Sequence, residues 1–260
     1  MAWTIDTAAE YLLGAERSRT DVEPLTDEWP ELDAETGYAI QDRLIALRLS
    51  GGERVVGVKL GLTSRAKQER MGIDSPLTAV VTDAMRIPAG APAPYGRLIH
   101  PRVEPEIVFR LGKDLGGSDV DIETALAAVA TVHAGFEIID SRFRDFRFRL
   151  PDVIADNASS SCFVVSEQAF GVGDLDLVAE EVVVKVDGRE VDRATGAAVQ
   201  GHPAAALALA ANSLSRRGIT IPAGSLVLTG GLTDAVAMSP DSEFAAEFAT
   251  LGSVVIPAGR

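Results

Sequence analysis

Val55-Val56-Gly57-Val58-Lys59-Leu60-Gly61-Leu62 is the stretch where the sequence changes character. Upstream of it, apolar residues recur at helical spacing, first at Ile5, Ala8, Ala9, Leu12, Leu13 and Ala15 and then at Tyr38, Ile40, Ile45, Leu47 and Leu49. Between those patterns, Thr20 to Pro30 holds two prolines and several turn formers, which predicts two helices joined by a loop. From Arg54 onward short β-branched runs take over and predict strands over 55–62, 104–111, 131–140, 162–165, 182–186, 225–228 and 253–256. Only two helical patterns interrupt them, Ile122 to Ala130 and Ala204 to Arg216, at intervals too irregular for strict strand-helix alternation. The expected class is α+β, with residues 1–52 a helical segment packed on a β body over 53–260. Gly51-Gly52, the plausible joint, is too short for a flexible tether.

The bulk properties narrow the function classes. A chain of 260 residues, 47% hydrophobic, has enough material for a large core. Its single cysteine, Cys162, forbids an intrachain disulfide and suits a reducing compartment. A formal charge of −14 repels a phosphate backbone, so no nucleic-acid partner is expected. The longest apolar stretches are far shorter than a membrane span, and Met1 to Asp6 lacks the basic-then-apolar order of a signal peptide, so we expect no membrane association and a cytoplasmic location.

Chemistry concentrates in Pro101-Arg102-Val103-Glu104-Pro105-Glu106-Ile107-Val108-Phe109. Residues two apart on a strand face the same way, so Glu104 and Glu106 point together, where they repel one another and lose hydration. Glu137 lies in the otherwise apolar run Ala134 to Ile139 and also needs a partner there. Three carboxylates suit a hard divalent ion such as magnesium, whereas zinc would want His or Cys. Two other accounts stay open. Pro105 favours an exposed edge strand for the glutamate pair, and an arginine could hold a lone buried Glu137. Lys59, inside an apolar strand, is either part of a structural salt bridge or a cation that stabilises an enolate or exchanges a proton with it.

Weaker candidates have plainer explanations. His100, His133 and His202 lack two-ligand helical spacing and suit turns or caps. Cys162 fits a small buried residue better than a nucleophile. Thr229-Gly230-Gly231 could bring backbone amides close to a ligand, although a tight turn also explains it. Arg142 to Arg149 alternates basic and aromatic residues, as a surface strand or loop, or as the source of an arginine for a dicarboxylate substrate. Neither a Walker loop nor a Gly-x-Ser-x-Gly elbow occurs.

Gly57 to Ser64, Glu104-Pro105-Glu106, Glu137-Ile138-Ile139-Asp140-Ser141-Arg142 and Ala155-Asp156-Asn157-Ala158-Ser159, in that order and spacing, resemble the hydratase/decarboxylase family of aromatic meta-cleavage catabolism, related to fumarylacetoacetate hydrolase. The resemblance runs from about Tyr38 to Ile256 and includes Gly201-His202-Pro203. It implies a mixed β-roll, barrel-like core with flanking helices, magnesium or manganese held by Glu104, Glu106 and Glu137, a catalytic Lys59, and Leu77, Ser159 and Thr229 at the substrate. It also implies a lyase, a small 2-oxo dicarboxylate substrate, a homo-oligomer, and association with the pathway hydratase. Two activities share the scaffold: decarboxylation of 2-oxo-3-hexenedioate (4-oxalocrotonate) and hydration of 2-hydroxypenta-2,4-dienoate. Family hydratases usually carry an aspartate after the proline that follows the lysine strand; here Pro76 is followed by Leu77, which looks like the decarboxylase branch, although Asp74 or Asp83 could substitute. A non-catalytic partner protein is the reading from another class, and the cluster of three glutamates and Lys59 speaks against it.

Overall fold

The computed structural model describes residues 3–63, 68–69, 72–73 and 76–259. The chain opens with α1 (Ile5–Ser18), a short α2 (Leu25–Glu28) and α3 (Ala34–Ser50). Thr4 and Thr7 close a capping box on α1, and the Asp33 side chain caps α3 through the Thr36 amide at 2.8 Å. Their apolar faces, with Leu12, Ile40 and Leu44 at the centre, bury Phe143 and Ala155 from the rest of the chain. Helical spacing therefore predicts α1 and α3 correctly, while one turn of helix forms inside the expected loop.

Seven strands make a mixed sheet. Six of them, β1 (Val55–Gly61), β2 (Leu77–Thr82), β3 (Arg102–Leu111), β4 (Val129–Ile139), β5 (Ser160–Val165) and β8 (Leu226–Leu228), run in the order β2-β1-β8-β3-β4-β5. The seventh, β9 (Val236–Ala237), pairs with β3. Among the described strands only β1 and β8 pair in parallel. The sheet curls until its ends meet, where the Ile87 amide just beyond β2 donates to the Phe163 carbonyl of β5 at 2.8 Å. This is the barrel-like core that the family resemblance implies. A second, antiparallel sheet orders β11 (Gly252–Ile256), β10 (Phe244–Phe248), β6 (Glu181–Val186) and β7 (Arg189–Thr195).

The two faces of the curled sheet do different things. Its convex face, with Val58, Leu60, Ile107, Phe109, Phe136 and Ile138, packs against the second sheet and α6 (Pro203–Arg216) in the largest apolar core. Its concave face is filled at one end by Val81, Met85, Val108, Phe163, Val165 and Leu228. The registers Lys59↔Leu228, Val108↔Leu228 and Glu104↔Glu137 put Lys59 and all three glutamates on that same concave face. Two further helices, α4 (Ile122–Ala128) and α5 (Leu150–Ala155), complete the layers. Among the described residues no helix is long and apolar enough to cross a membrane.

Pro105 does not mark an edge. β3 is an interior strand, paired with β4 over its whole length. On its other side β8 reaches only Val108 to Arg110 and β9 only Arg102 and Val103. The Pro105 carbonyl faces that gap and accepts from the Leu232 amide at 2.9 Å, so the proline nitrogen faces it too and no ladder hydrogen bond is lost.

Candidate metal centre

Glu104 and Glu137 sit directly opposite one another on β3 and β4, and Glu106 is two residues further along the same face. One oxygen from each lies within 4.8 Å of the others, and all three residues are buried. Like charges directly opposed on a sheet, out of water, are destabilising unless a cation intervenes. Lys59 supplies one: its Nζ lies 2.9 Å from Glu137 Oε1 and donates to the Ala158 carbonyl at 2.6 Å. The Ser160 hydroxyl also donates to Glu137 Oε1, at 3.4 Å.

Glu106 carries the clearest sign of a missing partner. Its Oε2 accepts from the Gly230 amide at 2.7 Å, while Oε1 is buried without any hydrogen bond. Burial, then the neighbouring Glu137 charge, push its carboxyl well above the ordinary carboxylate range. Glu137 is also raised by burial, in spite of Lys59. An oxygen-only donor set with an orphaned carboxylate oxygen, too rich in negative charge for one lysine, fits a hard divalent cation held by Glu104, Glu106 and Glu137.

Backbone approaches are built around this cluster. The loop after β8 passes so close that a β-carbon on Gly231 would lie 2.7 Å from Glu104 Cδ. Of the Thr229-Gly230-Gly231 amides, that of Gly230 is used at the site, where it serves a glutamate and not a substrate directly. Thr229 is buried and its hydroxyl donates to the Ile107 carbonyl at 2.8 Å.

A second device stands behind Lys59. Asn157, Ala158 and Ser159 have φ of 49°, 50° and 58°, three successive non-glycine residues in the left-handed region. That conformation costs roughly 1–2 kcal/mol per residue, so the surroundings must impose it. The Asn157 side chain bonds both the amide and the carbonyl of Val80 on β2, at 2.9 and 2.8 Å. The Ser159 hydroxyl donates to Asp156 Oδ2 at 3.2 Å, which is where that candidate substrate group is engaged. Buried Arg142 pairs with Asp156 and donates to the Ser160 carbonyl at 3.0 Å.

Several sequence expectations are corrected here. Arg142 is committed to Asp156, and Arg144 and Arg147 pair with Asp21, Glu23 and Asp27 on the surface, so these three do not reach a substrate. Of the strand or loop expected over 142–149, the structure forms the loop, with a 3₁₀ turn at Arg144–Phe146. Asp83 pairs with Arg54 at the end of β2 remote from Leu77, so it cannot stand in for a missing acid. Asp74, along with Ser64, lies outside the described residues. His202 caps α6 through the Ala204 amide at 2.9 Å, and burial pushes the Cys162 thiol up to about 11, in line with their expected roles.

Leu77 is buried opposite Gly61, diagonal to Lys59 on the same sheet face, and packs against Val153 and Ile154 of α5. It also forms part of the wall of a cleft of about 960 Å³ between α3 and α6, whose other side carries Arg216 and Arg217. Sequence reasoning missed the Asp156–Arg142 clamp. Both residues stand in the segments that carry the family resemblance, but their pairing crosses 14 positions and needs the fold.

Comparison with known proteins agrees with this geometry. The family model for the fumarylacetoacetate (FAA) hydrolase C-terminal domain matches residues 59–257. The chain is 39% identical to a 4-oxalocrotonate decarboxylase of Pseudomonas sp. (strain CF600) over 95% of this chain and 93% of that protein. It is equally 39% identical to a 2-keto-4-pentenoate hydratase of Burkholderia vietnamiensis (strain G4 / LMG 22486), over 96% of each. Among solved structures, the 4-oxalocrotonate decarboxylase from Pseudomonas putida G7, complexed with magnesium and adipate, superposes with a TM-score of 0.95 at 34% identity over 98% of both chains.

Proposed function

This chain belongs to the fumarylacetoacetate hydrolase family, and from that premise we propose that it is a metal-dependent lyase that decarboxylates 2-oxo-3-hexenedioate (4-oxalocrotonate) to 2-hydroxypenta-2,4-dienoate and CO2. The observation that carries the reading is the buried cluster of Glu104, Glu106 and Glu137 with its orphaned oxygen beside Lys59. We assign those glutamates to a magnesium or manganese ion and Lys59 to catalysis. When bound, the ion supplies Lewis-acid withdrawal of electrons at the keto oxygen of a chelating 2-oxo acid.

The chain's own residues supply the rest. As the bond to the distal carboxylate breaks, its electron pair runs along the conjugated chain to the C2 oxygen. The Lys59 ammonium, fixed by Glu137 and Ala158, adds positive charge on the face where that oxygen develops negative charge and can give it a proton. Leu77, with Val153 and Ile154, forms an apolar wall that excludes water from the departing carboxylate, and desolvation disfavours that ionised group more than neutral CO2. We place Ser159 and Thr229 in the supporting wall.

Hydration is the second reading, because a 2-keto-4-pentenoate hydratase matches this chain at the same 39% identity as one of the decarboxylases. It needs a base to position water at C4. The position that family hydratases fill with aspartate is Leu77, and Asp83 is remote and paired. Purified protein with Mg²⁺ should be given 2-oxo-3-hexenedioate and 2-hydroxypenta-2,4-dienoate in parallel. We expect CO2 release to dominate, and hydration as the faster reaction would overturn the assignment.

A further inference from the structure

We propose that Asp156, Asn157 and Arg142 are positioning residues that lock the left-handed turn at 157–159 so that the Ala158 carbonyl holds the Lys59 ammonium against Glu137. The proposal rests on Lys59 being catalytic and adds how it is aimed. A lysine on a flexible four-carbon stem, surrounded by three carboxylates, has more than one place to go. Glu137 alone would leave it free to swing about that bond. The second anchor is a backbone carbonyl, which moves only if the turn moves.

Everything around the turn limits such movement. Asn157 bolts it to β2, the strand beside the one that carries Lys59. At the other end Arg142 ties the Asp156 carboxylate, the Asp156 carbonyl and the Ser160 carbonyl together at the start of β5. The Ser159 amide closes back onto the Asp156 carbonyl at 2.9 Å. Gly61, two residues after Lys59, lets the turn approach, since a β-carbon there would lie 3.3 Å from Ala158 Cβ. A fully buried ion pair is a weak way to gain stability, and three left-handed residues work against it. Holding one carbonyl at a fixed point accounts for both.

The test uses the full chain with Mg²⁺ and the variants Asn157→Ala and Asp156→Asn. Thermal melting, Mg²⁺ affinity by calorimetry, and kcat and KM are measured separately. The positioning role predicts kcat lower by about 10- to 100-fold, with KM within about two-fold and Mg²⁺ affinity retained. Asn157→Ala leaves the ion pair intact and gives the answer if the Asp156 variant does not fold. Variants that melt lower yet keep kcat per folded molecule would overturn the proposal, as would a loss shared by KM or Mg²⁺ affinity. Lys59→Met separates the two layers: if it stays active, the reading of Lys59 fails, whereas an inactive Lys59→Met beside fully active turn variants defeats only the positioning role.

Discussion

Glu106 shows how one residue trades stability for chemistry. Its carboxyl is wholly buried, raised by loss of hydration and by Glu137, and half unpartnered. Glu106→Gln removes a repelling charge while keeping the shape. Metal-free protein should therefore melt no lower than wild type, while Mg²⁺ affinity falls by more than about 100-fold, beyond the roughly 10- to 100-fold that loss of an outer-shell partner costs. Calorimetric titration and a melting curve on the same sample check both, and unchanged affinity would remove Glu106 from the ligand set. Leu77 is the second decisive residue. Leu77→Asp places a charge diagonal to Lys59, in the apolar wall against Val153 and Ile154, and should lower the decarboxylation rate by about ten-fold or more. An undiminished rate would show that the apolar wall is not part of the chemistry. Both residues could be singled out in the sequence, Glu106 from period-two spacing and Leu77 from the family pattern. The Glu106 orphan atom and the Gly230 amide opposite it could not, because they depend on a loop 124 positions away.

Two elements carry the site, the parallel contact of β1 with β8 and the turn after α5. A β-carbon on Gly57 would lie 2.0 Å from the Leu226 carbonyl, so Gly57→Ala must part the strands that align Lys59 with β3. We expect a loss of about 3 kcal/mol or more, roughly 6–12 °C in Tm, and a melt within 2 °C of wild type would contradict this close approach. In the turn, burial pushes the Asp156 carboxyl up to about 6 against the pull of Arg142, from 3.8 when exposed. Between those values the folded chain holds a proton that the unfolded chain has released. The group's contribution to stability therefore falls as pH rises from about 4 to 6, by on the order of 3 kcal/mol, and returns as pH falls. Asp156→Asn should flatten that part of the profile, which urea melts across this range will show; an unchanged slope would contradict it. Strands with β-branched runs were readable in advance. Those that were not have physical reasons: β7 is an exposed edge rich in Glu, Asp and Arg, and β10, Phe244-Ala-Ala-Glu-Phe248, uses residues that also favour helix. β2, Leu77 to Thr82, is rich in Thr and Val and is an exception, a strand whose composition was legible though it is not among the expected ones, while α5 carries a proline in its first turn.

Over the whole molecule, the curled sheet divides its two faces between stability and chemistry. The convex face and the second sheet form the main core, while the concave face ends in an apolar plug on one side and the acidic cluster on the other. The α+β class follows from the sequence pattern, because helical spacing stops at Val55 and strands then lack regular helices between them. The closing of the sheet does not, since it depends on β2 meeting β5 across about 80 residues, a separation that no local pattern encodes. With a formal charge of −14, the chain gathers carboxylates around a buried centre that only a cation can neutralise, and the proposed decarboxylation depends on that cation. The most direct measurement is CO2 release from 2-oxo-3-hexenedioate by protein stripped with chelator, before and after Mg²⁺ is restored. The account predicts no release above background from stripped protein and recovery on adding Mg²⁺; steady release after exhaustive chelation would contradict it.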